Sequence, residues 1–435
     1  MTNSYIIYSR RKEEALQKGV HKLVDFPGMV MTDSGGYQVL EYGDLGLDVR
    51  EVAAFQQGIG SDAAVTLDRP TGYSTSRDHA EETVKVSLDG AVETMRDFGD
   101  GKTVWVGPVQ GGIFHDLLRR SAKSLLKAGF EFLALGSPTQ VMESYRFAEL
   151  AGMIAAVRKE VPYAVPLHLF GAGHPLTMPL AVALGCDTFD SASYILFARR
   201  GNYMTERGVV AVKELQALPC SCEVCVKTSA TELQSLEEKE RVARVATHNL
   251  WVLRKEVETC KEAIAEGRLW DLVVERSSSH PQLREALAVV SRESEILRDG
   301  TRFTKEKGLF IGAATDLERP EVAAARERLA DVSRRRSKYA VLHLGEVSPS
   351  RSPRFKKGGV DNWRVHPVFG VFPAELDFVY PFTQTITSSE IHGPTEAQAV
   401  KKLRAMGYST VKVAGRPREG AKNRRKPKAA SPSAR

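Results

Sequence analysis

Residues 166–194, PLHLFGAGHPLTMPLAVALGCDTFDSASY, decide how the rest of the chain is read. Residues 166–170 form a short apolar strand, halted by the Gly171-Ala172-Gly173-His174-Pro175 turn. An apolar helix is expected over about 176–184, with Gly185 as its C-terminal stop. A second strand through Thr188 and Phe189 then delivers Asp190, followed by the small residues Ser191 and Ala192. A carboxylate at the end of a buried strand occupies the position where parallel α/β proteins carry their chemistry. A lone aspartate there is equally suited to capping the following helix.

Working outward, the same unit recurs. Residues 28–32 (GMVMT) lead to Asp33, 63–67 (AAVTL) to Asp68, 103–109 (TVWVGPV) to Gln110, and 130–135 (FEFLAL) to Gly136. Helical patterns separate them at 49–57, 78–98, 117–128 and 143–159, and 78–98 shows the 3.6-residue period of an amphipathic helix. At the N-terminus, 1–8 reads as the end of a strand and 10–18 as a charged helix. This βαβα rhythm implies parallel strands, and polar residues at successive strand ends suit the active face of a (β/α)8 TIM-type barrel. The alternative, a doubly wound sheet, lacks its phosphate-binding glycine fingerprint after the first strand.

The chain has 435 residues, 42% of them apolar, enough for a large core and appendages. No charge-free run of 18 apolar residues and no signal peptide is visible, so a cytoplasmic protein with no membrane partner is expected. The net charge is +7, and residues 414–435 hold eight Lys/Arg against one Glu, so the remainder is neutral overall. That Pro- and Ala-rich tail is expected to be disordered and to attract polyanions. Cys220, Cys222 and Cys225 are followed after 22 residues by His248 in a helical segment. Three thiolates and one imidazole make a closed four-ligand set, so one structural zinc per chain is expected. The resulting division is a barrel at 1–210, a zinc-binding helical subdomain at 211–300, a charged helical region and basic linker at 301–359, a small α+β module at 360–413, and the tail.

The ordered motifs TNSYIIY, DSGGYQ (33–38), TLDRPT around Asp68, VQGG, LALG, ESYRF (143–147), HLFGAGHP, FDSASY and the Cys/His cluster resemble the tRNA-guanine transglycosylases. HNLWVLRKEV and the segment at 279–283 extend the likeness, which covers residues 3 to about 390. Phe170 and Ser191-Ala192-Ser193-Tyr194 resemble the archaeal branch, which acts on guanine 15 of tRNA. The resemblance implies Asp190 as nucleophile, forming a covalent ribosyl intermediate, and Asp33 as general acid/base. It implies Asp68 as acceptor for the N1–H and 2-amino edge of guanine. Gln110 and the Gly136 N–H would hold the base's O6 and its neighbouring edge, and Tyr37 and Phe170 would stack on the base. The partners implied are tRNA and 7-cyano-7-deazaguanine.

Two departures accompany the likeness: the family carries an N-terminal segment and first barrel strand ahead of TNSYIIY, where this sequence opens, so a misassigned start, a companion polypeptide or an incomplete barrel is expected, and a basic tail stands where a C-terminal PUA domain is usual. The resemblance therefore leaves room for a separate polypeptide supplying either part, and for a homodimer. Rival readings are a non-catalytic tRNA-binding partner subunit and an archaeosine-synthase-like paralogue. The joint presence of Asp33 and Asp190 favours the enzyme over the first, and that of Asp33, Asp68 and Gln110 argues against the second.

Overall fold

The computed structural model describes residues 1–36, 48–73, 75–302, 304–305, 308–333, 337–344 and 359–415. Two compact units divide the chain, Met1–Arg302 and Phe303–Arg435. In the first, β1 (Thr2–Asn3), β2 (Met31–Asp33), β3 (Ala63–Val65), β4 (Val104–Val109), β5 (Leu133–Leu135), β6 (Leu167–Leu169) and β7 (Thr188–Phe189) lie side by side in chain order. Every pair is parallel. Seven strands are one short of a closed eight-stranded barrel, and among the described residues β1 and β7 are the sheet's edges.

The sheet curls. Laid flat, β2 and β7 would stand about 24 Å apart at the usual strand spacing. The charge of Asp190, just beyond β7, nevertheless acts on Asp33 at the end of β2. Both faces are apolar, as parallel strands require. Leu133 and Leu135 point outward into the main core with Leu150, Met153 and Ile154 of helix Phe147–Arg158, whereas Ala134 points inward beside Ala63, Val65 and Val106. Met31, Phe132 and Phe170 pack against this inner cluster, so the interior is filled by side chains.

Three local expectations are revised. The N-terminal strand is only Thr2–Asn3, because the Asn3 side chain accepts from the Ile6 N–H and starts a helix, Ser4–Lys18, six residues ahead of the expected one. The helix expected over 143–159 is two, Thr139–Glu143 and Phe147–Arg158, interrupted by Tyr145 at φ +57°. The segment after β6 begins as a 3-10 turn, Pro175–Thr177, before helix Met178–Ala183, since His174 caps it and Pro179 supplies no N–H to an earlier turn.

Beyond β7 the hairpin β8 (Asn202–Thr205) and β9 (Gly208–Ala211) packs with the cysteine loop and helix Glu238–Ala265. Ala198 and Tyr203 share that core with Cys222, Cys225 and Val245, so the metal-binding substructure starts ahead of residue 211. A buried ion pair, Arg276 to both oxygens of Glu256 at 2.8 and 3.1 Å, ties helix Leu269–Ser277 to the long helix.

In the second unit, β10 (Leu309–Ile311) pairs with β14 (Thr385–Thr387) beside helix Pro320–Val332. A four-stranded sheet runs β13 (Gly370–Pro373), β12 (Val360–His366), β11 (Tyr339–His343), β15 (Thr410–Ala414). β11 is interior to it, parallel to both neighbours, and contributes Ala340 and Leu342 to a core with Trp363, Leu403 and Tyr408. The expected boundary at 360 thus cuts through this sheet. The reason is that β11's partners lie 21 and 71 residues further along the chain, a pairing that local periodicity does not carry. Residues 351–358 of the expected linker and 416–435 of the tail lie outside the described residues. Among the described residues no helix is long and apolar enough to cross a membrane.

Candidate active site and metal cluster

Side chains alternate across a strand, so the inward residues fix what reaches the barrel mouth. Met31 and Ala134 face inward, as does Phe170. Two residues further along their strands come Asp33 and Gly136, and the same spacing brings His168 to Phe170 and Thr188 to Asp190. Gln110, the residue after β4, shares the inward parity of Val106. Five of the expected residues therefore share one face at the C-terminal edge of the sheet. Asp68, three residues past β3, joins them through a hydrogen bond from Gln110.

Asp33 is half-buried and held by protein on nearly every side. Asn3 Nδ2 donates to its Oδ2 at 2.7 Å, and Ser4 Oγ donates to its carbonyl at 2.7 Å. Burial, and then the charge of Asp190, push its carboxyl up to about 6, against the pull of N–H groups from Gly35 and Ser34 and the Asn3 amide. A carboxyl that titrates near 6 can give and take a proton close to neutral pH.

Asp190 is held through one oxygen. Gly171 N–H donates to Oδ1 at 2.8 Å, and His168 Nε2 lies 3.1 Å from the same atom. His168 Nδ1 meets Thr188 Oγ1 at 2.8 Å. A carboxylate oxygen accepts, so Nε2 carries the proton and Nδ1 accepts from the Thr188 hydroxyl. His168 is buried at 2% exposure and its ring meets Phe170 edge-on, centroids 4.9 Å apart.

Asp68 feels burial first and Asp33 second, and its carboxyl rises to about 7 despite the Gln110 bond. Gln110 is buried and held at both ends of its amide: Nε2 donates to Asp68 Oδ2 at 2.6 Å, while Oε1 accepts from Thr71 N–H and Ser137 Oγ at 3.0 Å each. Its amide orientation is thereby fixed with the NH2 toward Asp68. The Gly136 N–H was expected to face the base, but it donates to Val109 O at 2.9 Å. The parallel register of β4 and β5 uses that donor. What Gly136 contributes is space, since a Cβ there would fall 2.3 Å from Gln110 Nε2 and 2.9 Å from Val109 O. Gly36 is equally close, its virtual Cβ 2.2 Å from Asp68 Oδ1. Phe170 lies at the interior's edge, while Tyr37 falls outside the described residues.

Sequence reasoning gave no role to His168, Asn3 or Ser137. The inward alternation of 168 and 170 was a usable signal for His168; Asn3 and Ser137 had none, since their partners come from distant strands.

The Cys220, Cys222, Cys225 and His248 ligand atoms all lie within 4.8 Å of one another. His248 Nδ1 is 3.5 Å from Cys222 Sγ and 3.4 Å from Cys225 Sγ. Ligands tetrahedral about zinc, with Zn–S about 2.3 Å and Zn–N about 2.0 Å, would be about 3.5 Å apart, so the residues fit the ion. His248 Nε2 donates to Met204 O at 2.9 Å, turning Nδ1 to the sulfurs, and Tyr203 stacks on the ring at 3.6 Å. Next to it, Asn249 accepts from Met204 N–H at 2.8 Å and donates to Tyr194 O and Asn202 O, pinning the hairpin to the helix. Burial pushes the Cys225 thiol up to about 12, so a bound cation must displace its proton. Four protein ligands leave no open position, and zinc here is structural.

A curled parallel (β/α) sheet with carboxyl groups at its strand ends and a closed Cys3His zinc site defines a class of barrel proteins. Sequence comparison narrows it. Residues 1–282 match the profile described as queuine tRNA-ribosyltransferase. A tRNA-guanine(15) transglycosylase of Aeropyrum pernix is 39% identical over 426 residues, which is 95% of this chain and 82% of that protein. The proteins so named in Methanocaldococcus jannaschii and Pyrococcus furiosus are 38% and 36% identical; this chain spans 60% and 66% of their lengths. The chain belongs to the tRNA-guanine transglycosylase family, in its archaeal branch.

Proposed function

We propose that this protein exchanges a guanine in tRNA, at position 15, for 7-cyano-7-deazaguanine, in the cytoplasm and on the pathway to archaeosine. The observation that carries the reading is the pairing of two unlike carboxyls, Asp33 and Asp190, on one inward face of the barrel mouth. Asp190 Oδ2 attacks C1′ of the nucleotide as the C1′–N9 bond breaks, and the bond pair leaves on the purine. Asp33, its carboxyl lifted to about 6, supplies the proton that neutralises the leaving base. In the second half the incoming base loses its N9 proton to Asp33 and bonds C1′, and the pair of the C1′–Oδ2 bond returns to Asp190.

Asp68 selects the base. Its two oxygens suit the N1–H and 2-amino donors of guanine and of 7-cyano-7-deazaguanine, and adenine offers no such pair. Gln110 holds Asp68 by Oδ2, and Phe170 and Tyr37 would stack on the flipped base. The zinc cluster would hold the substructure after β7 together and takes no part in bond making. A homodimer, or a separate polypeptide completing the sheet beside β1, belongs to the same reading and is visible by mass photometry.

The test withholds the incoming base. Wild-type protein with tRNA alone is expected to give a covalent adduct that survives a denaturing gel, and Asp190→Asn to give none while still binding tRNA. An Asp190→Asn protein that exchanges labelled guanine as fast as wild type would overturn the assignment.

A further inference from the structure

We propose that His168, with the Gly171 N–H, is a positioning residue that sets how readily Asp190 leaves the ribose, so that it governs the second half-reaction more than the first. The inference rests on Asp190 being the nucleophile, as proposed above.

Both donors fall on one oxygen. Gly171 N–H reaches Oδ1 at 2.8 Å and His168 Nε2 at 3.1 Å, so among the described residues the protein's hydrogen bonds to this carboxyl leave Oδ2 for the substrate. The donors are set before substrate arrives. Gly171 lies in a left-handed turn at φ +60°, where a Cβ would meet Thr139 Oγ1 at 2.6 Å. His168 is fixed from behind by Thr188 Oγ1 at 2.8 Å and from the side by the Phe170 ring. His168 and Thr188 are register partners on β6 and β7, so the sheet itself sets the distance between the imidazole and the strand that carries Asp190.

The asymmetry has a chemical consequence. In the first half-reaction Oδ2 gives an electron pair to C1′, and charge drains from the carboxylate as an ester forms. Donors on Oδ1 favour the charged carboxylate and so weaken the attack. In the second half-reaction the C1′–Oδ2 bond breaks and its pair spreads back over both oxygens. The same donors now meet growing charge on Oδ1 and favour departure, as preorganised donors do wherever charge develops. A nucleophile with no donors on Oδ1 would attack well and leave poorly.

His168→Phe removes the donor and keeps a ring of similar size, while His168→Gln keeps an N–H near the Nε2 position. Thr188→Val removes the hydroxyl that fixes the imidazole tautomer without changing side-chain shape. Rates of adduct formation, with tRNA alone, and of breakdown, on adding guanine, are measured separately by rapid quench and denaturing gel. His168→Phe should slow breakdown about 10- to 100-fold, the range for losing one hydrogen bond to a charged oxygen. Formation should be unchanged or faster, so the adduct accumulates during steady-state exchange and kcat falls while the affinity for tRNA holds. Thr188→Val should move the partition the same way by less, and His168→Gln should restore most of it. A wild type that forms no adduct defeats the nucleophile assignment itself. Adduct forming normally in wild type, with formation and breakdown slowed equally in His168→Phe and Thr188→Val, would make His168 a packing residue and overturn this proposal alone.

Discussion

Asp68→Asn separates what the site costs the fold from what it does for the base. The folded chain holds the Asp68 proton more tightly than the unfolded chain does, its carboxyl moving from the ordinary 3.8 to about 7. Stability tied to this group is therefore fully present below pH 4 and is lost as pH rises through 7. Above that, the fold must keep an ionised carboxyl next to Asp33 in a poorly hydrated place. Each pH unit between the two values corresponds to about 1.4 kcal/mol, which gives a ceiling of about 4 kcal/mol for a sealed group. Asp68 is only half-buried. Solvent screening through that opening reduces the figure to about 2 kcal/mol. Asparagine has no charge to bury and keeps an oxygen for the Gln110 donor at the Oδ2 position. The variant should therefore melt about 3 °C above wild type at pH 8, with the difference shrinking toward zero near pH 4. Melting followed by circular dichroism at pH 4, 6 and 8, both proteins in the same buffers, reads this directly. An equal gain at every pH, or a loss at pH 8, would show that Asp68 is not held ionised against the fold, and the reasoning would fail. The same variant should lose discrimination for guanine in the exchange assay, since one acceptor becomes a donor.

Cys222→Ala should drop bound zinc from about one per chain to well below it by metal analysis, and should loosen the β8–β9 hairpin and its helix, where hydrogen exchange would speed up first. Retention of full metal and melting temperature would mean the four residues do not form the site. Gly136→Ala should raise the KM for the free base at least tenfold with less effect on tRNA affinity, because its methyl would press on Gln110 Nε2 and, through it, on Asp68; an unchanged KM would show that Gln110 can yield without moving Asp68.

The strand ends were legible because each marks itself locally: a short apolar run, then a polar or glycine residue, then a helix. Asp33, Asp68, Gln110, Gly136, Gly171 and Asp190 all follow from that punctuation, whereas Phe170 enters only through the family resemblance. The zinc ligands were legible for a different reason, since three cysteines within six residues have little else to do in a chain of this composition. What could not be read was pairing between distant segments. β11 gains its place only through β12 and β15, and the family resemblance that implies a base-binding role for the Gly136 N–H does not show that β4 takes this donor.

His168 shows where the two kinds of information meet. Its strand reads Leu-His-Leu-Phe, and the outward leucines alone suffice to call a buried strand. An imidazole between them faces the interior by parity, and a buried imidazole needs partners for both nitrogens. The sheet supplies them from one strand, β7 and the residue after it: Thr188 opposite His168 in register, and Asp190 two residues on. The period of two that carries Asp190 to the mouth of the barrel also carries Thr188 to the imidazole. Asp190, the proposed nucleophile, and the histidine bonded to it thus owe their places to one strand register. A one-residue slip of β7 against β6 would turn both side chains to the outer face.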